Sequence, residues 1–263
     1  MTHLVPLSSA RRFLGGRAFA PALRRRRARF AGLAAAAVAL AVAAAGPPSA
    51  VATAPAPVIP PAGASYDVLA VQWWQYVLAQ PAATNPLLDA TGADCAAGQA
   101  GPVFFLAGSL SSDPVQRTAC VVRGPRALFF PLLNSIDVHV PTDDQTTPEL
   151  IYADFVNNVA FRADSLHASV DGNAVPGLDP TTGRFRACAA PVAGCFPQSF
   201  AVRVPDGNLF GLPAGTYGPA VQDGFYLLLA PLAPGVHTIS FGGAGFAGGA
   251  FSQDITYRLR VTR

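Results

Sequence analysis

The sequence predicts a mainly β protein, an antiparallel β-sandwich of jelly-roll type with one N-terminal helix and one short inserted helix. About nine short apolar segments follow one another from Pro102 onward, separated by Gly, Pro, Asn or Asp. The last segment alternates, with Ile255, Tyr257, Leu259 and Val261 on one face and polar or charged residues on the other. Only two stretches have helical spacing. Many short strands with few helices are typical of a β-sandwich.

Residues 1–52 are expected to be a secretory signal peptide. Eight of the 18 arginines lie in the first 30 residues, which contain no acid, and the apolar stretch Ala31–Ala45 follows. Cleavage is expected after the small-residue sequence that ends at Ala52. As a helix, the apolar stretch rises about 22 Å, short of the roughly 30 Å hydrocarbon core of a bilayer. Membrane contact is therefore expected to be transient, and the mature chain to be secreted, extracellular or periplasmic.

The mature chain is expected to begin with a linker. Residues 53–63 are rich in Pro and Ala and contain no charge, which predicts an extended tether that packs little. A single β-sandwich domain is predicted over residues 64–263.

The N-terminal helix of this domain is predicted over residues 66–80. Ser65 caps it and Pro81 ends it. One helical stripe is expected to face the core while Trp74 and Gln75 turn elsewhere. The stripe contains Leu69, Trp73, Tyr76 and Val77.

The inserted helix is predicted over residues 148–161, where Thr147 caps the helix and Pro148 takes its first turn. Leu150, Ile151, Phe155 and Val159 recur there at helical spacing. Two strand segments, Val103–Leu106 and Phe225–Leu229, are apolar on both sides, which is expected of central strands covered by a second layer such as a helix.

The four cysteines lie in the predicted mature chain and show no CxxC spacing, so two disulfides in an oxidising compartment are expected. Four cysteines allow three pairings. We expect the pairings that are local in sequence, Cys95 with Cys120 and Cys188 with Cys195.

Residues 72–261 contain, in this order, the segments QWWQYVL, NPLLDATGADCAAGQAGPVFFLAG, RALFFPLLN, DGFYLLLAPLAPGVHTISFGG and FSQDITYRLRV. Together these segments resemble a family of secreted bacterial β-sandwich proteins of unassigned function. The resemblance implies export and a β-sandwich, and it transfers no activity.

The tandem Trp73-Trp74, followed by Gln75, is a candidate carbohydrate platform, because aromatic faces and nearby amides suit a sugar ring. Neighbours on a helix point about 100° apart, so core packing of both rings is the alternative. Further candidate ligand contacts are Asn134, Asp223 and Tyr226.

The segment 85–94 contains Asp89 and Asp94, a hydroxyl and an amide, oxygen ligands that Ca²⁺ can use. Calcium is the one cofactor that the sequence suggests. The alternative is a turn in which Asn85 and Asp89 cap backbone N–H groups ahead of Cys95.

Asp137 and His139 are two residues apart on a predicted strand and therefore share a face, as a general base with its orienting carboxylate would. They lie in a polar cluster that also contains Asn134, Asp143, Asp144 and Glu149. His237 alternates with Ile239 and Phe241 on an apolar face. It is predicted either to be a hydrogen-bonded core histidine or to join Asp137 and His139 in a catalytic or metal site. His167 is expected on the surface.

Two function classes follow. The first is a noncatalytic β-sandwich of the envelope or exterior that binds a glycan or another envelope component. The second is a polysaccharide hydrolase or lyase that uses Asp or Glu with His in a cleft; its candidates are Asp137, His139, Glu149, Asp223 and His237. Nucleic acid is not an expected partner, because residues 53–263 carry 10 dispersed Arg, no Lys and 15 acids.

Overall fold

The computed structural model describes residues 55–62, 65–159, 162–190, 195, 199–245 and 251–263, with the side chains of residues 157–159 excepted. The predicted signal peptide, residues 1–52, lies outside the described residues. Within the described part, no helix is long and apolar enough to cross a membrane.

The described residues form two helices and eleven strands. The helices are α1 (Ser65–Leu78) and α2 (Pro148–Val159). Strands β1 to β11 comprise, in chain order, Val103–Phe105, Val115–Arg117, Val121–Arg123, Ala127–Val138, Ala163–Val170, Asn173–Ala174, Arg186–Ala189, Phe200–Val204, Gly215–Leu229, Gly235–Gly245 and Phe251–Thr262. Both predicted helices are therefore present; α1 ends two residues earlier than the sequence predicts, and the last two predicted residues of α2 lie outside the described residues.

The strands form two sheets, which confirms the predicted mainly β sandwich. Sheet A has the order β1-β4-β9-β7, and β8 also pairs with β9; sheet B has the order β2-β11-β10-β5-β6, and β3 also pairs with β11. Most pairs are antiparallel, but β1 pairs parallel with β4, and β2 and β3 pair parallel with β11. Both sheets are therefore mixed rather than antiparallel throughout, and the jelly-roll connectivity stays a prediction.

Sheet A is the middle layer of the molecule. Phe129 contacts Tyr66 of α1 with ring centroids 5.6 Å apart, whereas its neighbour Phe130 contacts Phe241 of β10 at 4.4 Å. Adjacent strand residues point to opposite faces, so α1 covers one face of β4 and sheet B covers the other. This two-sided cover explains why β4 and β9 are apolar on both sides.

Helix α2 covers the part of sheet A that sheet B leaves free. Its buried Ile151 and Phe155 cluster with Leu133 of β4 and Val221 of β9. The Thr147 hydroxyl accepts a 3.4 Å hydrogen bond from the Leu150 amide, as the predicted cap requires.

The outer sheet shows the alternation that its sequence predicts. In β11 the four apolar residues Ile255, Tyr257, Leu259 and Val261 are buried, and Arg258 and Arg260 are exposed. One face of β11 therefore belongs to the core and the other to solvent.

The Pro-rich linker packs more than predicted. The Ile59 amide donates to Leu228 O, and the Ala230 amide donates to Pro57 O, each at 2.8 Å. The Tyr66 hydroxyl adds a 2.7 Å bond to Ile59 O. Because extended backbone presents free amides and carbonyls, this segment pairs along the end of β9 instead of forming a loose tether.

Candidate functional site

A cavity of about 290 Å³ lies at the edge of the sandwich where β2 begins sheet B. Three stretches line it: residues 87–90 after α1, residues 109–111 between β1 and β2, and residues 115–117 at β2 itself. The apolar lining residues are Leu87, Leu88, Ala90, Leu110 and Val115, and the polar ones are Asp89, Ser109, Ser111 and Arg117. The cavity is therefore mainly apolar, with one cationic residue, Arg117, and one acidic residue, Asp89, among those that line it.

Arg117 is buried, with 1% of its surface exposed. Its Nε donates to Asp89 O at 2.7 Å, Nη1 donates to Ala107 O and to the Tyr257 hydroxyl at 2.7 Å each, and Nη2 donates to Gly108 O at 2.9 Å. Three carbonyl oxygens and one phenol oxygen thus hold a charge that in most buried sites meets a carboxylate.

The stretch between β1 and β2 is fixed by both sheets. Leu106 donates its amide to Phe129 O of sheet A at 3.0 Å, and Ser109 donates its amide to Gln253 Oε1 of sheet B at 3.0 Å. Two of the three carbonyls that hold Arg117, those of Ala107 and Gly108, therefore come from backbone that bridges the two sheets.

The loop after α1 is ordered by its own side chains. Asn85 Nδ2 donates to Val77 O at 2.7 Å, and Asn85 Oδ1 accepts from the Leu87 amide at 3.0 Å. Asp89 accepts from the amides of Thr91 and Asp94 at 2.8 Å each. Partial burial opposes ionisation of Asp89, but these hydrogen bonds prevail and lower the pKa of the carboxyl.

These bonds have the geometry of the predicted turn, because both carboxylate oxygens of Asp89 already accept from the loop. Calcium binding by Asp89 and Asp94 stays a prediction. Among the described residues, no group of three or more His, Cys, Asp or Glu could hold a metal ion.

Gly92 lets this loop approach Arg117. Its φ of 84° lies in the left-handed region, and a Cβ at this position would stand 2.9 Å from Arg117 Cβ. The Cys95–Cys120 disulfide then joins the loop to the chain after β2, with Cα atoms 5.6 Å apart. A Cys188–Cys195 disulfide is also formed, so both predicted pairings are confirmed.

A second polar cluster lies beneath α2. Asp223 of β9 is 2% exposed and forms a two-pronged ion pair with Arg186 of β7: Arg186 Nε donates to Oδ1 at 2.8 Å and Nη2 donates to Oδ2. Burial raises the pKa of Asp223 although Arg186 opposes this shift. Asp67 of α1 accepts from the Cys188 amide at 3.0 Å, and burial with the nearby charge of Asp223 raises its pKa.

The predicted tryptophan platform is wrong. Trp73 and Trp74 are each 1% exposed and meet edge to face with centroids 4.9 Å apart, so core packing of both rings is the correct alternative. Trp73 Nε1 donates to Leu106 O at 2.9 Å. Gln75 is exposed, but its amide donates to Ala201 O of β8 at 2.9 Å. The helix is flanked on several sides, which buries positions that a one-sided helix would expose.

The other predicted ligand contacts hold the fold together. Asn134 Nδ2 donates to the Tyr226 hydroxyl at 3.1 Å, and that hydroxyl donates to Gln222 Oε1 at 2.9 Å. Tyr226 has no exposed surface, and burial raises its pKa. Asp223 is occupied by Arg186. These side chains do not form an open ligand surface.

The predicted catalytic set of Asp137, His139 and His237 is not assembled. Phe130 and Leu132 of β4 lie against Phe241 and Gly243 of β10, so the two strands run in the same direction in their facing sheets. His139 lies about 23 Å further along β4 from Leu132, and His237 lies about 20 Å back along β10 from Gly243. The two histidines therefore stand at opposite ends of the sandwich.

His237 is hydrogen-bonded, as one alternative predicts, but it is half-buried and does not belong to the core. Nδ1 lies 2.7 Å from Asp171 Oδ2, and Nε2 lies 2.9 Å from Ala233 O. Both neighbours are acceptors, so only the imidazolium donates to both. Partial burial opposes protonation, but the bond to Asp171 and the Ala233 carbonyl prevail and raise the pKa of His237. His167 is on the surface, with 52% of its side chain exposed, as predicted.

The sequence contains one signal for the cavity. Arg117 is two residues after Val115 on a short strand and therefore shares a face with an apolar residue. A lone cation on such a face signals either an edge of the sheet or a buried guanidinium.

The fold and the cavity define a class: a disulfide-bonded, two-sheet β-sandwich with a helix-covered inner sheet and an arginine-walled cavity at its edge. No protein family, curated protein or solved structure matches the chain. The resemblance to secreted bacterial β-sandwich proteins stays a prediction.

Proposed function

We propose that the protein is an exported, noncatalytic binding protein of the cell envelope or exterior, and that its ligand occupies the cavity beside Arg117. The observation that carries the proposal is the cavity itself, about 290 Å³ of mainly apolar space with a buried guanidinium in its wall. Small-molecule sites are typically concave and mostly apolar with a few fixed polar groups, and their volumes start at about 300 Å³.

The cavity wall is preorganised by hydrogen bonds and a disulfide within the protein. Asn85, Asp89 and the Cys95–Cys120 disulfide hold one side, and the bonds of Ser109 to Gln253 and of Arg117 to Gly108 hold the other. A site built on fixed elements binds with a lower ordering cost than a site that forms on binding.

Export is supported by two features. The four cysteines form two disulfides with no free cysteine among the described residues, which suits an environment outside the reducing cytoplasm. The N-terminal sequence has the arginine-rich, apolar and small-residue parts of a secretory signal.

The geometry favours a small apolar ligand over a glycan. None of the nine cavity-lining residues is aromatic, and Trp73 and Trp74 are buried. A sugar ring therefore lacks the stacking face that the sequence predicts, whereas an aliphatic group meets leucine and valine.

The test is a thermal-shift and tryptophan-fluorescence titration with 1-hexanol and with a panel of soluble oligosaccharides. We expect 1-hexanol to raise the melting temperature, because a ligand at 100 times its Kd adds about 2.7 kcal/mol to stability. Ala90→Phe fills the cavity and should abolish the shift. Ala96→Phe, at an exposed position of the same loop outside the cavity, should leave it intact. Equal shifts in both variants, or a response to oligosaccharides alone, contradict the cavity as the site.

A further inference from the structure

Arg117 has more donors than the surrounding protein uses. A guanidinium carries five N–H groups. Nε donates once, Nη1 donates twice and Nη2 donates once, so one N–H of Nη2 remains. Arg117 is one of the residues that line the cavity, and 1% of its surface is exposed. The remaining N–H is the one donor of Arg117 that no protein acceptor occupies.

The charge of Arg117 is not matched by a carboxylate. Asp89, which also lines the cavity, offers Arg117 its backbone carbonyl. Its carboxylate oxygens accept from Thr91 and Asp94 instead. Among the described residues, Arg117 takes part in no ion pair, in contrast to Arg186. An anionic group in the cavity would gain a charge-assisted hydrogen bond and offset a buried positive charge.

The other residues that line the cavity favour a ligand with an aliphatic part. Leu87, Leu110 and Val115 present branched aliphatic side chains, and Leu88, 52% exposed, stands at the opening. At about 290 Å³ the cavity is at the lower end of the range for ligand sites. An aliphatic chain of a few carbons suits this volume and lining.

We infer that the cavity binds a small aliphatic carboxylate, whose chain packs against the leucines and whose carboxylate accepts from Arg117 Nη2. The inference rests on the proposed function and narrows its ligand class. A charge-assisted hydrogen bond contributes about 1.5–3 kcal/mol, and 1.4 kcal/mol is a factor of ten in affinity. Hexanoate should therefore bind about tenfold or more tightly than 1-hexanol.

The test is isothermal titration of the purified protein with hexanoate, 1-hexanol and methyl hexanoate. We expect hexanoate to bind most tightly, Ala90→Phe to weaken all three ligands, and Ala96→Phe to change none. Arg117→Gln should remove the preference for hexanoate. If this variant does not fold, the order of the three ligands on the unaltered protein decides the question.

The outcomes separate the two proposals. If the alcohol and the ester bind as tightly as hexanoate, and Ala90→Phe weakens both, the carboxylate class is wrong and the binding function stands. If none of the three binds, the cavity is not the ligand site and both proposals fail. A hexanoate preference that persists at full strength in Ala90→Phe places the carboxylate elsewhere and overturns the inference.

Discussion

Arg117 and Arg186 are two arginines held by buried groups, and their charges are compensated in different ways. Arg186 reaches from an edge strand with 45% of its side chain exposed and pairs with the buried carboxylate of Asp223. Arg117 is 1% exposed and is held by three carbonyls and a phenol. Each region also contains one disulfide, Cys188–Cys195 near Arg186 and Cys95–Cys120 near Arg117.

The difference concerns what each region can still bind. In the Arg186 region the positive and negative charges meet directly, and the donors that Asp223 does not take belong to a side chain that is 45% exposed to water. In the Arg117 region neutral acceptors take four donors and leave one donor and a full charge beside a cavity. Peptide carbonyls can hold a guanidinium in place without cancelling its charge, and this makes Arg117 the better candidate for ligand recognition.

The largest effect is expected from Arg117→Met. It leaves Asp89 O and Gly108 O without a donor, at about 1–3 kcal/mol for each group that stays dry, whereas Ala107 O and the Tyr257 hydroxyl keep the hydrogen bonds between their own residues. Because the cavity admits some water, we expect a loss of about 4 kcal/mol in the free energy of unfolding, measured by urea denaturation at pH 7. Arg123→Met, at an exposed position on β3, should change stability by less than about 0.5 kcal/mol. Similar losses in both variants contradict the assigned role of Arg117.

The two disulfides close loops of different length, one in each region. Cys95 and Cys120 are 25 residues apart, and Cys188 and Cys195 are 7 apart. Loop-closure entropy predicts a stability loss of about 3.5 kcal/mol for Cys95→Ser with Cys120→Ser, and about 2.5 kcal/mol for Cys188→Ser with Cys195→Ser. The first pair should also weaken hexanol binding, because it holds the cavity loop. Unchanged binding in that double variant argues against the loop as part of the site.

Some of these structural features can be predicted from the sequence and others cannot. The alternation of β11 and the local spacing of the cysteines follow from the chain itself, since a half-buried strand and a short disulfide loop need only neighbouring residues. The burial of Trp74 does not, because it depends on distant elements that flank α1: Trp73 bonds to Leu106 and Gln75 to Ala201.

The candidate site is harder to predict than the fold for the same reason. Periodicity places His139 and His237 on strand faces, but only the sheet order shows that they stand at opposite ends. Arg117 is recognisable as a cation beside Val115, yet three of its four acceptors are backbone carbonyls. Side-chain motifs contain no information about such acceptors.

Breaking the Arg186–Asp223 pair tests whether its carboxylate is what distinguishes the two regions. Arg186→Met leaves Asp223 buried and unpaired. Full burial of both partners would cost about 3–5 kcal/mol, and the 45% exposure of the Arg186 side chain reduces the expected loss to about 2 kcal/mol at pH 7. Burial already raises the pKa of Asp223, and removal of Arg186 should raise it further.

This variant has a pH signature that Arg117→Met lacks. A carboxyl whose folded pKa exceeds its unfolded value favours the folded state at low pH, and that advantage decreases as pH rises through the unfolded and then the folded pKa. Stability of Arg186→Met should therefore recover partly as pH falls from 7 toward 5, whereas Arg117→Met should show no matching recovery. Urea midpoints across this range give the answer, and parallel pH curves for the two variants would remove the distinction.

The smallest effect belongs to an ion pair nearer to water, His237 with Asp171, whose side chains are 16% and 45% exposed. Because the folded pKa of His237 is raised above 6.5, its contribution is complete below about pH 6.5 and is lost as pH rises through the folded pKa. We expect about 0.5–1 kcal/mol to be lost between roughly pH 6 and 8, in the range of exposed pairs. His237→Gln should flatten this slope in urea midpoints. Asp171→Asn should flatten the slope too, because it removes the carboxylate that favours protonated His237. Asn tolerates the positive φ of 50° at this position, so the backbone should be preserved. If the slope of stability against pH persists in both variants, it arises from other groups. Solvent exposure would then not explain why the expected losses decrease from Arg117 to Arg186–Asp223 to His237–Asp171.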